Sequence, residues 1–264
     1  MLEVRGLSRH FGGVAALRHV DLRVRAGEIV ALVGPNGSGK TTLLNVLSGF
    51  LPAGAGTIAF AGRVIAGLPA ARIARLGLIR TFQLPAMPCG MSVLELMLCG
   101  GMPMTGTSIW NNVAHPRASK QETRREIDRA FGLLERMQLG PSANQSAGLL
   151  SGGQKKLLSF AMALMMRPKF LLLDEPTSGV NPKLHADLAV QIHLLRDEGA
   201  GFLIVEHNME FVRQVCERCV VLDKGQVVAN CSPAELQSDA RVVEAYLGRP
   251  LPARGAGGLE SVAL

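Results

Sequence analysis

Large aromatics are scarce, with one Trp and one Tyr in 264 residues. Surfaces that bind single-stranded nucleic acid interleave aromatic rings with a basic stripe. No such stripe occurs, so nucleic acid is not expected among the partners. Cysteine is sparse, scattered and odd in number, at five. That excludes a secreted disulfide framework from the expectations. Cys216 and Cys219 form a lone C-x-x-C without the second pair a zinc site wants, and they read as ordinary thiols. The longest apolar stretch, Leu157 to Met166, is too short to span a bilayer. Met1-Leu2-Glu3-Val4-Arg5 lacks an apolar signal region. The chain is therefore expected in the cytoplasm unless another protein holds it at a membrane. No internal repeat and no sustained heptad is visible.

Present instead is a hydrophobic content of 48% and a net charge of +7, from 28 Lys plus Arg against 21 Asp plus Glu. The first suits a soluble protein with a sizeable core, and the length suits one large domain or a domain with a subdomain. The second suits anionic partners without choosing among them.

Gly34-Pro35-Asn36-Gly37-Ser38-Gly39-Lys40-Thr41 matches G-x-x-x-x-G-K-[ST], a phosphate-binding loop. Before it, Glu28 to Val33 reads as a buried strand; after it, Thr42 to Leu47 reads as a helix. Gly34, Gly37 and Gly39 allow the tight bend that turns backbone N–H groups inward. The helix N-terminus adds partial positive charge. Lys40 can reach the β- and γ-phosphates, and the Thr41 hydroxyl can hold Mg²⁺. Pro35, Asn36, Ser38 and Thr42 complete the expected nucleotide-contacting set.

Leu2 to Arg9 and Leu17 to Val24 alternate apolar and polar residues as half-buried strands do. Phe11-Gly12-Gly13 is a turn between them. Phe11 either stacks on a ligand's base or is a core residue exposed at a strand end. Thr57 to Phe60 and Arg63 to Ile65 form a hairpin, and Leu68-Pro69 opens a short helix to about Arg75. Ser92-Val93-Leu94-Glu95 is a capping box opening an apolar helix. Gly100 to Pro116 reads as a long loop. Ser119 to Met137 reads as an amphipathic helix with Ile127, Ala130, Phe131 and Leu134 on its apolar face and a solvated charge run from Lys120 to Arg129. These features predict a helical subdomain at about residues 84–167, inserted in an α/β core. The core resumes at strand Phe170 to Leu173. The helix Pro182 to Glu198, the strand Phe202 to Val205, a helix to about Cys216 and the hairpin Val220 to Asn230 follow. The last helices end near Leu247, and residues 248–264, rich in Pro and Gly, are expected to be disordered.

Asp174 leaves the Phe170 to Leu173 strand where it can hold Mg²⁺ directly or through water. Glu175, next in the chain, can orient or deprotonate an attacking water. Leu150-Ser151-Gly152-Gly153-Gln154 opens the apolar helix Lys155 to Met166; Ser151 is an N-cap type, and the glycines allow close backbone approach.

LSGGQ is the signature of ABC ATPases, and with the phosphate loop upstream and Leu171-Leu172-Leu173-Asp174-Glu175 downstream the chain is identified as a member of that family. The resemblance implies a P-loop NTPase core of the ABC type, with an N-terminal antiparallel β-subdomain and an inserted helical subdomain in one domain over residues 1–247. It implies ATP and Mg²⁺ as cofactors. Gln83 resembles the family's metal-contacting glutamine, His207 its γ-phosphate histidine, and Phe11 its adenine-stacking aromatic. Asn181 stands where the family usually has aspartate. The family works as a head-to-tail dimer, homo- or heterodimeric, in which Ser151, Gly152, Gly153 and Gln154 would close over ATP held by the partner. Phe11 to Leu17, Gly67-Leu68-Pro69, Ile73 to Gly77, Arg80-Thr81-Phe82-Gln83, Val205 to Met209 and Val243 to Gly248 resemble the ATPase subunit of branched-chain amino-acid importers. That implies permease subunits, an indirect solute-binding protein outside the membrane, and a peripheral place on its cytoplasmic face. Urea, short-chain amides and other amino acids are carried by similar systems. The motifs also resemble the ATPase of lipopolysaccharide export, and more remotely soluble ABC ATPases acting on DNA or ribosomes.

Overall fold

Val30, Leu32, Leu172 and Leu203 fall on one side of a sheet, and Ile29, Ala31, Leu171 and Phe202 on the other, because strand side chains alternate. All eight are buried, so both faces of that sheet must be covered, as for parallel strands in α/β proteins. The computed structural model shows how; it describes residues 1–81, 87–88, 90–101, 116–236 and 238–247.

A six-stranded sheet runs in the order β10-β9-β3-β8-β7-β6, formed by β3 (Ile29–Val33), β6 (Leu78–Arg80), β7 (Phe170–Asp174), β8 (Gly201–Val205), β9 (Arg218–Asp223) and β10 (Gln226–Cys231). Its pairings are parallel except the β9–β10 hairpin. A second sheet, antiparallel, runs β2-β1-β4-β5, with β1 (Leu2–Phe11), β2 (Val14–Val24), β4 (Ala55–Phe60) and β5 (Arg63–Val64). Its inward residues Leu2, Val4, Leu7, Leu17 and Val20 join α1 (Lys40–Leu47) in covering the first face of the large sheet. The short α2 (Ala70–Arg75) joins them through Ile73.

The opposite face is covered by α6 (Pro182–Asp197), α7 (Met209–Val215) and the helices between β6 and β7, and α8 (Ala240–Leu247) closes the described chain. Those between β6 and β7 are α3 (Val93–Gly101), α4 (Pro116–Arg136) and α5 (Gly152–Met165). The Ser92 hydroxyl accepts from the Glu95 amide, and the Glu95 carboxylate accepts from the Ser92 amide, so the capping box forms. Helix α4 begins at Pro116, earlier than the sequence pattern suggested, and α3 runs on to Gly101. The expected loop therefore loses both ends, and residues 102–115 lie outside the described residues. On α4 the buried face is Ala130, Leu133, Leu134, with Met137 just beyond, while Phe131 is exposed. Phe131 follows Ala130 by one residue, about 100° around the helix, which puts it at the edge of the stripe formed by Ala130, Leu133, Leu134 and Met137. The charge run is also not wholly solvated. Arg129 donates to the Leu164 carbonyl at 2.8 Å, and Glu126 pairs with Arg167 at 2.7 Å. Strand β6 was not expected, being only three residues long.

Candidate functional site

The loop from Gly34 to Gly39 lies between the end of β3 and the start of α1. Gly34 and Gly39 have φ of 150° and 107°. A Cβ on Gly34 would collide with the Leu222 carbonyl oxygen at the end of β9, and one on Gly39 would come within 2.6 Å of the Ala16 carbonyl in β2. The loop is thus wedged between the two sheets. The Gly225 amide donates to the Ser38 carbonyl at 2.9 Å, and the Arg18 amide to the Gly225 carbonyl at 2.8 Å, which closes the wedge. Asn36 and Gly37 face outward, Thr41 is exposed, and Thr42 is half-buried. The Lys40 ammonium is buried and donates to the carbonyls of Gly34 at 2.8 Å and Pro35 at 2.9 Å. Burial lowers its pKa, and the nearby Glu175 and Asp174 carboxylates oppose that shift. Among the described residues the buried Ser38 hydroxyl has no hydrogen-bond partner.

Asp174 ends β7 and is buried. Its Oδ2 accepts from Arg80 Nη2 at 3.0 Å, with side chains 7% and 5% exposed. Arg80, the last residue of β6, also donates through Nη1 to Asn45 Oδ1 at 2.5 Å on α1. One guanidinium therefore ties β6, β7 and the helix behind the phosphate loop together. The Thr41 hydroxyl and Asp174 carboxylate are hard oxygen donors of the kind Mg²⁺ prefers, and the donor set fits that ion.

Glu175 follows with φ of 48°, the left-handed region. For a non-glycine residue that conformation costs on the order of 1–2 kcal/mol. It is held at both backbone ends. The Glu175 amide donates to the Val205 carbonyl at 2.8 Å, and the Glu175 carbonyl accepts from Lys156 Nζ at 2.8 Å. The side chain of Glu175 reaches to 3.3 Å from His207 Nε2. His207 is set by Glu206, a carboxylate 2% exposed. Glu206 accepts from the amides of Thr177, His207 and Asn208 and from the Thr177 hydroxyl at 2.5–3.0 Å. Asn208 in turn caps α7. The loops after β7 and β8 are thus one hydrogen-bonded unit.

Ser151 caps α5 in a reciprocal box with Gln154. Ser151 and Gly152 are exposed and Gly153 is buried. A Cβ on Gly153 would press the Gly179 carbonyl at 3.0 Å, so the start of α5 rests on the loop after β7 of the same chain. Asn181 caps α6 through the Lys183 amide at 3.0 Å. Phe11, at the end of β1, is exposed, with the Arg9 guanidinium 5.0 Å from its ring centre. The structure therefore brings Lys40, Asp174, Glu175 and His207 together. Ser151 makes its bond within its own helix start, and Gln83 lies outside the described residues. Cys216 and Cys219 are buried, and no cluster of metal-ligating side chains occurs among the described residues. Burial pushes Cys219 up to about 12 and raises Cys216 further.

Sequence reasoning gave no role to Arg80, Lys156 or Glu206. A signal existed for Glu206, because a charged residue directly continuing a buried strand must find a partner; Arg80 had none, since β6 itself is too short to read. Lys156 gave none, sitting as it does in a helix start already rich in polar residues.

A glycine loop between strand and helix, a buried lysine at the helix start just after it and a carboxylate pair at the end of β7, one strand removed across β8, define a P-loop NTPase. A family model described as ABC transporter matches residues 17–178. The chain is 37% identical to the high-affinity branched-chain amino acid transport ATP-binding protein BraF of Pseudomonas aeruginosa, over 94% of this chain and 98% of that protein. It is 36% identical to LivG of Escherichia coli, a protein of the same description, over the same shares. A crystal structure of a nucleotide-free ATP-binding cassette from an ABC transporter superposes with a TM-score of 0.80 at 35% identity, covering 94% of this chain and 99% of that one. The chain belongs to the ABC transporter family, as one of its ATP-binding cassettes.

Proposed function

We propose that this chain is the ATP-hydrolysing subunit of an ABC importer for branched-chain amino acids or related small polar solutes. The observation that carries the reading is Glu175, pinned in a left-handed conformation beside the phosphate loop with His207 against its carboxylate. The named relatives support import over lipopolysaccharide export or work on nucleic acid. Phe11 stacks on the base. The loop N–H groups from Gly34 to Gly39 and the helix α1 terminus bind the phosphates. Lys40 turns its ammonium from the Gly34 and Pro35 carbonyls to the β- and γ-phosphates. Thr41, Asp174 and Gln83 would hold Mg²⁺, which would neutralise charge on the transferred phosphoryl group. Glu175 orients water in line with the γ-phosphate and takes its proton, and His207 contacts that phosphate and steadies Glu175.

The exposed Ser151 and Gly152 serve a second cassette, closing over nucleotide bound by that partner. Among the described residues no helix is long and apolar enough to cross a membrane. The transport subunits to which the chain is similar support a place at the membrane's cytoplasmic face, reached through permease subunits. Fractionation tests this: the chain sediments with membranes when its permeases are co-expressed and stays soluble without them. Equal membrane association in both cases would refute the permease-held picture.

A further inference from the structure

We infer that Lys156 is a positioning residue for hydrolysis, holding the backbone of Glu175 in its strained conformer and tying it to the helix that carries the signature. The inference rests on the functional reading above and adds to it a residue without an assigned role.

Glu175 is not a glycine, yet it sits at φ 48°. A non-glycine residue stays in that region only when its surroundings over-determine it. On the N-terminal side the tie is the Glu175 amide to Val205, which continues the β7–β8 ladder and needs no special residue. On the C-terminal side the chain turns away from the sheet, and the Ser178 amide reaches the Glu175 carbonyl only at 3.3 Å. The shorter bond to that carbonyl, 2.8 Å, comes from Lys156 Nζ. A charged donor on a carbonyl makes a stronger bond than a neutral one.

The lysine is built for this place. It is half-buried; burial lowers its pKa, while Glu175, Glu206 and Asp174 oppose the shift and favour the ammonium. It lines a small cleft with Thr81, Asp174 and Pro176. It lies one turn after Ser151 on α5, so its backbone moves with the signature while its head grips Glu175. In a dimer, α5 presents Ser151 to the partner's nucleotide, and the same helix fixes the Glu175 of its own nucleotide. Lys156 is the direct bond between those two duties.

The test compares steady-state ATP hydrolysis by wild type, Lys156→Met, Lys156→Arg and Glu175→Gln. Single-turnover rates are added for Glu175→Gln with and without Lys156→Met. The expected result is a kcat about tenfold lower in Lys156→Met at unchanged KM for ATP, as for loss of an interaction used after binding. Lys156→Arg, which keeps a charged donor, recovers most of it. In the Glu175→Gln background Lys156→Met changes the rate little, because the group it positions is already chemically silent. Normal kcat in Lys156→Met overturns the inference. So does a loss that multiplies fully with Glu175→Gln, since that marks a structural effect independent of the carboxylate. If Lys156→Met does not fold, Lys156→Gln, with a shorter donor, replaces it under the same outcomes. A wild-type chain without hydrolysis overturns the functional reading itself. An active wild type with a dead Glu175→Gln and a normal Lys156→Met overturns this assignment alone.

Discussion

His207 Nε2 lies 3.3 Å from the Glu175 carboxylate, and the two residues come from the ends of adjacent strands, β8 and β7. That pairing places a proton acceptor and a group that can bond phosphate side by side.

Glu175→Gln keeps the shape of the side chain and removes the base. Turnover should fall by about 10²–10⁴-fold, the range for loss of general-base catalysis. ATP binding should survive, because Lys40 and the loop amides are untouched. With ATP and Mg²⁺ the variant should accumulate as a closed dimer, and with ADP it should not. Turnover and sedimentation on one preparation check this. Near-normal hydrolysis would remove Glu175 from the mechanism.

Lys40→Ala and Ser151→Arg should separate binding from closure. The first removes the ammonium bonded to the loop's Gly34 and Pro35 carbonyls and should abolish ATP binding in equilibrium dialysis. The second places a bulky cation on an exposed helix start, where it should leave ATP binding intact and block hydrolysis. Normal turnover in Ser151→Arg would exclude the signature from catalysis.

Arg80→Met strips the buried Asp174 of its guanidinium. Breaking a buried pair from one side costs about 3–5 kcal/mol, and urea unfolding should register a loss of that order. A change below about 1 kcal/mol would put the Arg80–Asp174 contact in the class of surface pairs.

Cys216 and Cys219 should be inert toward a disulfide reagent at pH 8 in the folded protein, while the exposed Cys99 reacts. With Cys219 held near 12, its thiolate fraction at pH 8 is on the order of 10⁻⁴, and only the thiolate attacks. Labelling followed by peptide mapping decides it. Rapid modification of Cys219 in the native chain would contradict the burial seen here.

The phosphate loop, the β7 strand end and the signature were legible because each couples a short motif to an apolar run of the right length. The large sheet was legible for the same reason in β3, β7 and β8, whose uninterrupted apolar residues leave little choice of conformation. Strand β6 was not, since three residues carry too short a pattern to separate from a turn. Arg80, Lys156 and Glu206 were missed for a different reason: their partners are Asp174, the Glu175 carbonyl and the Thr177–Asn208 amides, and sequence spacing does not report which charges meet across a fold. The exposed Phe131 shows the limit of reading a helix face from spacing alone, since it stands three residues from the buried Leu134 yet lies at the edge of the stripe.

The loop wedged between Leu222 and Ala16 gives the protein a built-in gauge. Local opening there must part the Arg18–Gly225 and Gly225–Ser38 bonds, and the phosphates would be gripped by that very stretch. Any opening that releases these amides also releases the nucleotide, so occupancy should appear as hydrogen-exchange protection far from the base and sugar. A ligand at one hundred times its Kd lowers the population of the open form about one hundredfold. The amides of Arg18 and Gly225 would then read nucleotide affinity directly, one from β2 of the antiparallel sheet and one from the β9–β10 turn of the large sheet.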